Sequence, residues 1–281
     1  MRKSIYSTIL ISTLLLAGCQ DNAAAPEDAP EAPEEETTEQ VKNQENDETT
    51  DTDSKDEETT DEEEVEEEVT YQYQINPEVH SVEPIEETEE SDEKLVLLTF
   101  DDAPYGNSMK IAEALNERNV SAIFFVNSMY MDEEGTETVQ ELYDMGFEIA
   151  NHTHTHALLR DYTDEEQREE IVTTNDMIEE AIGERPRFFR APHGVMTDYS
   201  EQVVAEEHMT WMNWSFGYDW EQQYQDPAAL TDITLNGPLL SDGSNILMHD
   251  REWTAEAVPD IVDGLLEQDF TIVDPALITH E

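Results

Sequence analysis

Basic side chains are scarce in this chain of 281 residues. The sequence has 13 Lys and Arg against 70 Asp and Glu, which gives a formal net charge of −57 at pH 7. Recognition of nucleic-acid phosphates needs clustered Lys and Arg, and the sequence contains no such cluster. The same shortage argues against electrostatic docking on anionic lipid. We therefore expect no nucleic-acid partner and no membrane contact that depends on positive charge.

Cysteine is almost absent as well, since Cys19 is the only one in the chain. A single cysteine excludes an internal disulfide and a structural zinc site built from several cysteines. Cys19 ends the motif Leu-Ala-Gly-Cys, after a basic N-terminus and an apolar stretch over 9–17 that is too short to span a bilayer. The pattern resembles a bacterial lipobox. It predicts a signal peptide over 1–18 and an extracytoplasmic protein anchored to the cell membrane only through a lipid on Cys19. Ordinary secretion with a free Cys19 is the alternative.

Aromatic residues are missing between positions 20 and 70, where Glu, Asp, Thr, Pro and Ala dominate. Such a segment cannot bury enough apolar surface to offset its chain entropy, so we expect a disordered acidic tether. About 50 residues of flexible coil span on the order of 40 Å. Residues 71–93 are transitional and are expected to pack against the domain edge. We assign the lipidated cysteine and linker to 19–93 and one folded domain to 94–281.

The folded part is itself acidic, with 39 carboxylates and 8 basic residues over 95–281, a net charge of 8 − 39 = −31. Carboxylates interspersed in this way are typical of a solvated surface. They indicate a protein that works in high salt or at high pH.

Short apolar runs alternate with amphipathic stretches from position 94 onward. The predicted strands lie at 95–100, 122–126, 147–150, 188–189, 209–214, 246–248 and 270–273. The predicted helices lie at 108–118, 136–145, 163–182, 198–207 and 253–268, with Ser108 and Thr163 as N-caps. This alternation predicts an α/β fold with a parallel sheet and helices outside it. Periodicity leaves a barrel and a doubly wound sheet both open.

Five of the apolar runs lead directly into clusters of Asp, His, Arg or Trp. The clusters begin at Asp101, His152, Arg190, Trp214 and His249. Because the carboxyl ends of parallel strands share one face of the sheet, these five clusters should converge.

Each cluster also has a purely structural interpretation. Paired aspartates such as Asp101 and Asp102 are common in turns and at helix N-termini, and a lone His249 is usually a hydrogen-bonded structural residue. His152 and His156 are four positions apart, so on a helical turn they can point the same way, as metal ligands do. The coincidence of all five clusters in one domain favours a functional site.

At these residues the sequence resembles the polysaccharide deacetylases, the NodB-homology family also called carbohydrate esterase family 4. The resemblance covers roughly 94–281 and implies a deformed (β/α) barrel. The matching motifs are Thr99-Phe100-Asp101-Asp102, His152-Thr153-His154-Thr155-His156, Arg190-Ala191-Pro192-His193-Gly194, Asp219-Trp220 and Leu247-Met248-His249. Two positions depart from the family pattern. His193 stands where many members carry Tyr, and Phe216 stands where the fourth motif has an Asp.

The resemblance implies a role for each matching residue. Asp102, His152 and His156 would hold a divalent metal, with zinc as the expected ion and cobalt or another divalent ion as alternatives. Asp101 would be the general base, oriented by Arg190.

On the other side of the reacting bond, the resemblance makes His249 the general acid, supported by Asp219. The main-chain N–H of His193 would stabilise the oxyanion. Leu247 and Trp220 would wall the slot for the acetyl methyl group.

We therefore expect a metal-dependent hydrolase that removes acetyl groups from an N-acetylated polysaccharide, with the N-acetylglucosamine of peptidoglycan as substrate and a monomeric state assumed. The alternatives are the same chemistry on an O-acetylated xylan and an inactive glycan-binding lipoprotein, which the altered third and fourth motifs would favour. A solute-binding lipoprotein of a transporter would need a longer, two-lobed chain and explains none of the clusters.

Overall fold

A computed structural model describes residues 70–86 and 93–280. The expected signal peptide, the lipidated Cys19 and the acidic tether over 20–69 lie outside the described residues. Within the described part of the chain, no helix combines the length and hydrophobicity that crossing a membrane requires.

The described residues form an α/β unit of ten strands and six helices, with short 3₁₀ turns between them. The strands are β1 Tyr73–Ile75, β2 Val82–Pro84, β3 Lys94–Ala103, β4 Ile123–Val126, β5 Glu148–Asn151, β6 Phe188–Phe189, β7 Thr210–Trp211, β8 Phe216–Gly217, β9 Ser244–His249 and β10 Phe270–Ile272. The helices are α1 Ser108–Asn116, α2 Glu133–Asp144, α3 Asp164–Ile182, α4 Asp198–Glu206, α5 Pro227–Asn236 and α6 Glu252–Glu267.

Eight strands form one parallel sheet in the order β7-β6-β5-β4-β3-β9-β8, and β10 pairs with the first residues of β3. The two edge strands, β7 and β8, are consecutive in the chain and are joined by residues 212–215 alone. Five Cα steps span at most about 18 Å, so the sheet must curl until its edges face each other. The structure thus confirms the predicted deformed (β/α) barrel.

Strand β3 shows how the barrel separates its interior from its helical layer. Leu95 and Leu97 belong to the core inside the curled sheet, whereas Val96 and Leu98 pack against the helices. Alternate residues of a strand point to opposite faces. The interior row therefore continues beyond Leu97 through Thr99 to Asp101, both buried. The same row is apolar at the start of the strand and polar at its carboxyl end.

The antiparallel hairpin of β1 and β2 packs where the parallel strands begin. Ile75 and Val82 from this hairpin join the inner core with Leu95 and Leu97. Val82 donates its backbone N–H to the carbonyl of Gly243, just before β9. Residues 73–84 therefore cover the end of the barrel opposite the carboxyl ends of the strands.

The helix boundaries largely follow the sequence signals. Thr163 caps α3 with the predicted capping box, in which its side chain and that of Glu166 each bond to the other's backbone. The prediction for Ser108 was wrong, because Asn107 holds the N-cap position of α1 and the Ser108 hydroxyl donates to Asp250 instead. Helix α5 was not predicted, although Asp226 caps its start.

Candidate active site

The five polar clusters meet in one cavity of about 580 Å³ at the carboxyl ends of the parallel strands. Its wall consists of acidic, imidazole and aromatic side chains together with one arginine, one glutamine and one leucine. The lining residues are Asp101, Asp102, His152, His156, His193, Trp214, Asp219, Trp220, Gln225, Leu247, His249, Arg251 and Trp253.

Asp102, His152 and His156 form a cluster whose ligand atoms lie within 4.8 Å of one another. The Oδ1 atom of Asp102 is 3.9 Å from Nε2 of His152 and 3.5 Å from Nε2 of His156. Its other oxygen, Oδ2, accepts a hydrogen bond of 2.6 Å from Nη2 of Arg251. One carboxylate oxygen therefore faces both imidazoles while the second is held outside the cluster.

The loops that present these ligands have unusual backbone conformations. Asp102, Thr153, His156 and His193 all have φ values between 58° and 69°. This left-handed region costs non-glycine residues roughly 1–2 kcal/mol each, and such strain is concentrated at functional sites. The side-chain amide of Asn127 donates to the carbonyls of His152 and Thr153, which holds the strained turn in place.

The protonation states suit a divalent cation. Nδ1 of His152 lies 2.7 Å from the carbonyl oxygen of Arg190, which makes Nδ1 the donor and leaves Nε2 free to bind a metal. Burial, followed by the charge of His152, lowers the pKa of His156 to about 4, so its imidazole is neutral at pH 7. Burial alone would raise the pKa of Asp102, but the neighbouring histidines and Arg251 outweigh it and lower that pKa. Two imidazoles that turn Nε2 toward one carboxylate oxygen fit a divalent ion such as zinc.

Asp101 and Arg190 form a buried ion pair beside this cluster. Nη1 of Arg190 donates to Oδ1 of Asp101 at 2.7 Å and to the hydroxyl of Thr99 at 2.9 Å. Oδ2 of Asp101 is 3.5 Å from Nε2 of His152. The guanidinium also stacks 4.2 Å from the ring centre of Phe125. Arg190 therefore holds one oxygen of Asp101 and leaves the other at the cavity.

Asp219 and His249 form a second pair on the same cavity. Asp219 is fully buried and accepts from Nδ1 of His249 at 2.7 Å and from the hydroxyl of Thr254 at 2.8 Å. Its main-chain carbonyl accepts from the indole N–H of Trp253 at 2.9 Å. Burial lowers the pKa of His249, but the hydrogen bond and charge of Asp219 outweigh it and raise that pKa above its ordinary value. Nε2 of His249 is left to face the cavity.

The three predicted substrate-contacting residues also lie at the cavity. The His193 ring packs edge-on against His156, with ring centres 4.9 Å apart. Leu247 is buried in the wall, whereas Trp220 is 42% exposed and packs edge-on against His249 at 5.6 Å. The structure thus brings together all ten residues that the sequence proposed for metal, catalysis and substrate.

Arg251 was missed by the sequence-based reasoning, although it stands two positions after the last residue of the fifth motif. Its adjacency to Asp250 and His249 was the one available signal, and nothing in the sequence indicates its contact with Asp102. Trp214 and Trp253 also line the cavity.

The fold and the site together define a class of (β/α)-barrel proteins with a two-histidine, one-carboxylate cluster at the carboxyl ends of the strands. The family model described as Polysaccharide deacetylase matches residues 88–212. A solved structure described as a T48 deacetylase with substrate is 30% identical and superposes with a TM-score of 0.60, covering 66% of this chain and 90% of that one. This chain belongs to the polysaccharide deacetylase family.

Some curated relatives are named for xylanase and deacetylase activity together, and others for the deacetylation of peptidoglycan. A bifunctional xylanase/deacetylase of Pseudobutyrivibrio xylanivorans is 28% identical over 66% of this chain and 30% of its own length. The peptidoglycan-N-acetylmuramic acid deacetylase PdaC of Bacillus subtilis is 30% identical over 68% of this chain and 40% of its own length. The match therefore spans less than half of either relative.

Proposed function

We propose that this protein is a metal-dependent deacetylase that hydrolyses the acetyl amide of an N-acetylated polysaccharide, with peptidoglycan N-acetylglucosamine as its substrate. The observation that carries the proposal is the convergence of three groups on one cavity: the Asp102, His152 and His156 cluster, the Asp101–Arg190 pair and the Asp219–His249 pair. The family membership and the deacetylase names of the relatives support it.

Asp102, His152 and His156 are the residues that would hold the ion, which we propose is zinc, with cobalt or another divalent ion as alternatives. When bound, such an ion polarises the acetyl carbonyl and lowers the pKa of a water molecule. The second oxygen of Asp102 stays with Arg251.

Asp101 is proposed as the general base. Its Oδ1 is held by Arg190, so Oδ2 is the atom that accepts a proton from the attacking water. The attack forms the bond from water oxygen to the acetyl carbon. The main-chain N–H of His193 would donate to the oxygen that becomes negative, and Leu247 and Trp220 would enclose the methyl group.

His249 is proposed as the general acid. Asp219 holds its Nδ1 and keeps the imidazole protonated to higher pH, so that Nε2 can give a proton to the amine nitrogen as the carbon–nitrogen bond breaks. The products are acetate and a free amino sugar, and the proton taken by Asp101 balances the one that His249 gives up.

We further propose an extracytoplasmic location in which a lipid on Cys19 anchors the chain and the acidic segment lifts the domain toward the cell wall. The signal over 1–18 and the tether composition support this placement, which in turn favours peptidoglycan. The domain is expected to act as a monomer.

The test measures acetate release from purified N-acetylated peptidoglycan by the full chain, with chelator and after zinc or cobalt is restored. We expect activity that the chelator abolishes and the metal restores. Asp101→Asn should lower the rate by about 10²–10⁴-fold. Its metal content, measured by elemental analysis, should stay at the wild-type level because Asp101 is outside the ligand cluster. Absence of acetate release from the metal-loaded wild type would instead support an inactive glycan-binding protein.

Ester hydrolysis is the second candidate, favoured by the relative whose name combines xylanase and deacetylase. Assays on acetylated xylan and on acetylated chitooligosaccharides, at equal acetyl concentration, distinguish ester hydrolysis from amide hydrolysis. A kcat/KM at least tenfold higher on the xylan would replace the amide assignment with the ester one.

A further inference from the structure

The motif that carries the ligand histidines His152 and His156 also contains His154 and Thr155, which the proposed mechanism does not use. These two residues form the turn between the ligands. His154 is not part of the three-residue ligand cluster, and Thr155 is exposed. The backbone on either side of them is left-handed, with φ of 69° at Thr153 and 58° at His156. A turn of this shape is strained and persists only where surrounding contacts hold it.

Helix α3 supplies such contacts through Glu170. The carboxylate of Glu170 accepts both donors of Thr155: Oε2 accepts the backbone N–H at 2.8 Å, and Oε1 accepts the hydroxyl at 2.6 Å. The main-chain carbonyl of Glu170 accepts the backbone N–H of His154 at 2.9 Å. One residue of α3 therefore holds three donors in the middle of the turn.

The burial of Glu170 indicates that its carboxylate has a specific role. The residue is only 7% exposed, and among the described residues the carboxylate hydrogen-bonds to Thr155 alone. Burying a carboxylate costs free energy that an apolar side chain of the same size would not cost. Because the carboxylate has this single partner, its presence is explained by the contact with the turn.

A second set of contacts from α3 reaches His154. Nδ1 of His154 lies 2.8 Å from the hydroxyl of Ser128, which lies 2.8 Å from the hydroxyl of Thr174. The Thr174 hydroxyl donates to the main-chain carbonyl of Glu170 at 3.2 Å. Since a hydroxyl has one proton to donate, Ser128 donates to Thr174 and Nδ1 of His154 donates to Ser128. The middle histidine of the motif therefore anchors the turn.

The opposite side of the turn is held by residues 127–129, which follow β4. Asn127 holds two of the carbonyls of the turn, and the backbone N–H of Met129 donates to the carbonyl of His154 at 3.0 Å. Carbonyl groups on one side and N–H groups on the other are thus both fixed. Glu170 contributes the charged group among these contacts.

We propose that Glu170 is a positioning residue that sets the affinity of the ligand cluster for its ion, because it keeps the turn between His152 and His156 in the conformation that presents both imidazoles. The proposal rests on the proposed function, in which these histidines and Asp102 hold a divalent ion. It adds to that site a residue of α3 that lies outside the ligand cluster. Without the contact to Thr155 the strained turn can relax, and part of the binding free energy of the ion is then used to restore it. Loss of a group that orients metal ligands typically weakens metal binding by about 10–100-fold.

The experiment measures the zinc Kd of the metal-free full chain by competition with a chromogenic chelator. We expect Glu170→Gln to weaken zinc binding by about 10–100-fold, because the amide has one oxygen for two donors and turns its own N–H groups toward the second. Thr155→Val removes the hydroxyl from the other side of the same contact and should weaken binding by about 2–10-fold. Because Thr155 is exposed, this variant tests the contact even if Glu170→Gln does not fold.

Two further variants are the controls. Thr155→Ser keeps both donors and should bind zinc within about twofold of the wild type. Glu169→Gln removes the same charge from the neighbouring, exposed position of α3 and should bind zinc as the wild type does. A loss in Glu169→Gln as large as that in Glu170→Gln would overturn the proposal, because the negative charge of α3 would then set the affinity.

Amide hydrogen exchange of the metal-free protein gives a readout that does not depend on an ion. We expect faster exchange at the amides of His154 and Thr155 in Glu170→Gln, with wild-type rates in the rest of α3. Wild-type rates at both amides would overturn the proposal, since the turn would then be held without the carboxylate.

Unchanged zinc Kd values in both Glu170→Gln and Thr155→Val would overturn the proposal as well. If the wild type binds zinc but releases no acetate, the proposed function fails on its own, and the zinc Kd values still decide the role of Glu170. A wild type that binds no zinc, cobalt or other divalent ion would overturn the ligand cluster and this proposal together.

Discussion

One buried arginine links the proposed base to the closure of the barrel. Arg190 is fully buried and donates to Asp101 on β3 as well as to the main-chain carbonyl of Asn213, in the segment that joins the two sheet edges. Burial lowers the pKa of this guanidinium, while the charge of Asp101 and the hydrogen bond to it oppose the shift. A lysine would carry the charge without the planar fork that makes both contacts. The orientation of Asp101 thus depends on a segment more than 100 positions away.

The charge of a second buried carboxylate, Asp219, controls the pKa of the proposed general acid, His249. His249 has a pKa above its ordinary value because Asp219 outweighs the effect of burial. A general acid must be protonated, so activity is expected to fall as pH rises through this raised pKa. Asp219→Asn removes the negative charge beside His249 and leaves the effect of burial. The pKa of His249 should therefore fall. The alkaline limb of the kcat/KM profile should therefore move to lower pH, as a pH–rate series on a chitin oligomer would measure.

The neighbouring Asp250→Asn variant is the control for this shift. Asp250 is also buried, but its carboxylate bonds to Gly106, Asn107 and Ser108 rather than to the imidazole. The alkaline limb of the kcat/KM profile of Asp250→Asn should coincide with that of the wild type. If the alkaline limb of the kcat/KM profile does not move in Asp219→Asn, His249 is not the general acid.

Helix α1 depends on a different element for its N-terminal cap. Asn107 at the N-cap position makes no side-chain capping bond. Instead, the carboxylate of Asp250, which follows β9, accepts from the backbone N–H groups of Gly106, Asn107 and Ser108. A carboxylate here also interacts favourably with the helix dipole. The strand that ends in His249 is thereby tied to the loop between β3 and α1.

We expect Asp250→Ala to lower the free energy of unfolding by about 2–3 kcal/mol, because it leaves several donors without a partner. For a domain of this size, that corresponds to a fall in Tm of roughly 4–12 °C. The matched control is Asp226→Ala, which removes a single exposed capping bond from α5 and should cost about 1 kcal/mol. Differential scanning calorimetry of both variants measures the difference. An Asp250→Ala loss no larger than that of Asp226→Ala would contradict the capping role.

The whole molecule carries far more negative than positive charge. Most surface arginines already contact carboxylates, and Arg185 alone contacts Asp176, Glu179 and Glu207. The excess carboxylates have no basic partners available, since 95–281 has 39 acidic and 8 basic residues. Mutual repulsion of like charges lowers the stability of the compact state.

Salt should therefore stabilise this protein. Raising NaCl from about 0.01 M to about 1 M shortens the screening length from about 30 Å to about 3 Å, and we expect Tm at pH 7 to rise. The same series near pH 4 serves as the control, since the sequence pI is about 4.1 and little net charge is left to screen. A Tm at pH 7 that is independent of NaCl would show that repulsion between carboxylates does not limit the stability of the protein.

Elements with strong local signals were predicted, and weaker ones were not. The apolar runs of the long strands and the capping box at Thr163 are local patterns, and the structure confirms them. The hairpin of β1 and β2 and the two-residue strand β8 were missed because three or fewer residues carry no measurable periodicity. Ser108 was misassigned because its partner, Asp250, lies 142 positions away.

The sequence by itself determined which residue types stand at the ends of the strands, since alternation of apolar and polar residues marks a strand and its end. It thereby placed Asp101, Asp102, His152, His156 and His249 on one face of the sheet. Only the tertiary structure decided that Arg251 holds Asp102 across 149 positions, and that Asp250 caps α1 from the end of β9. Such contacts depend on which strands and loops become neighbours when the sheet curls, and no local pattern of residues encodes that.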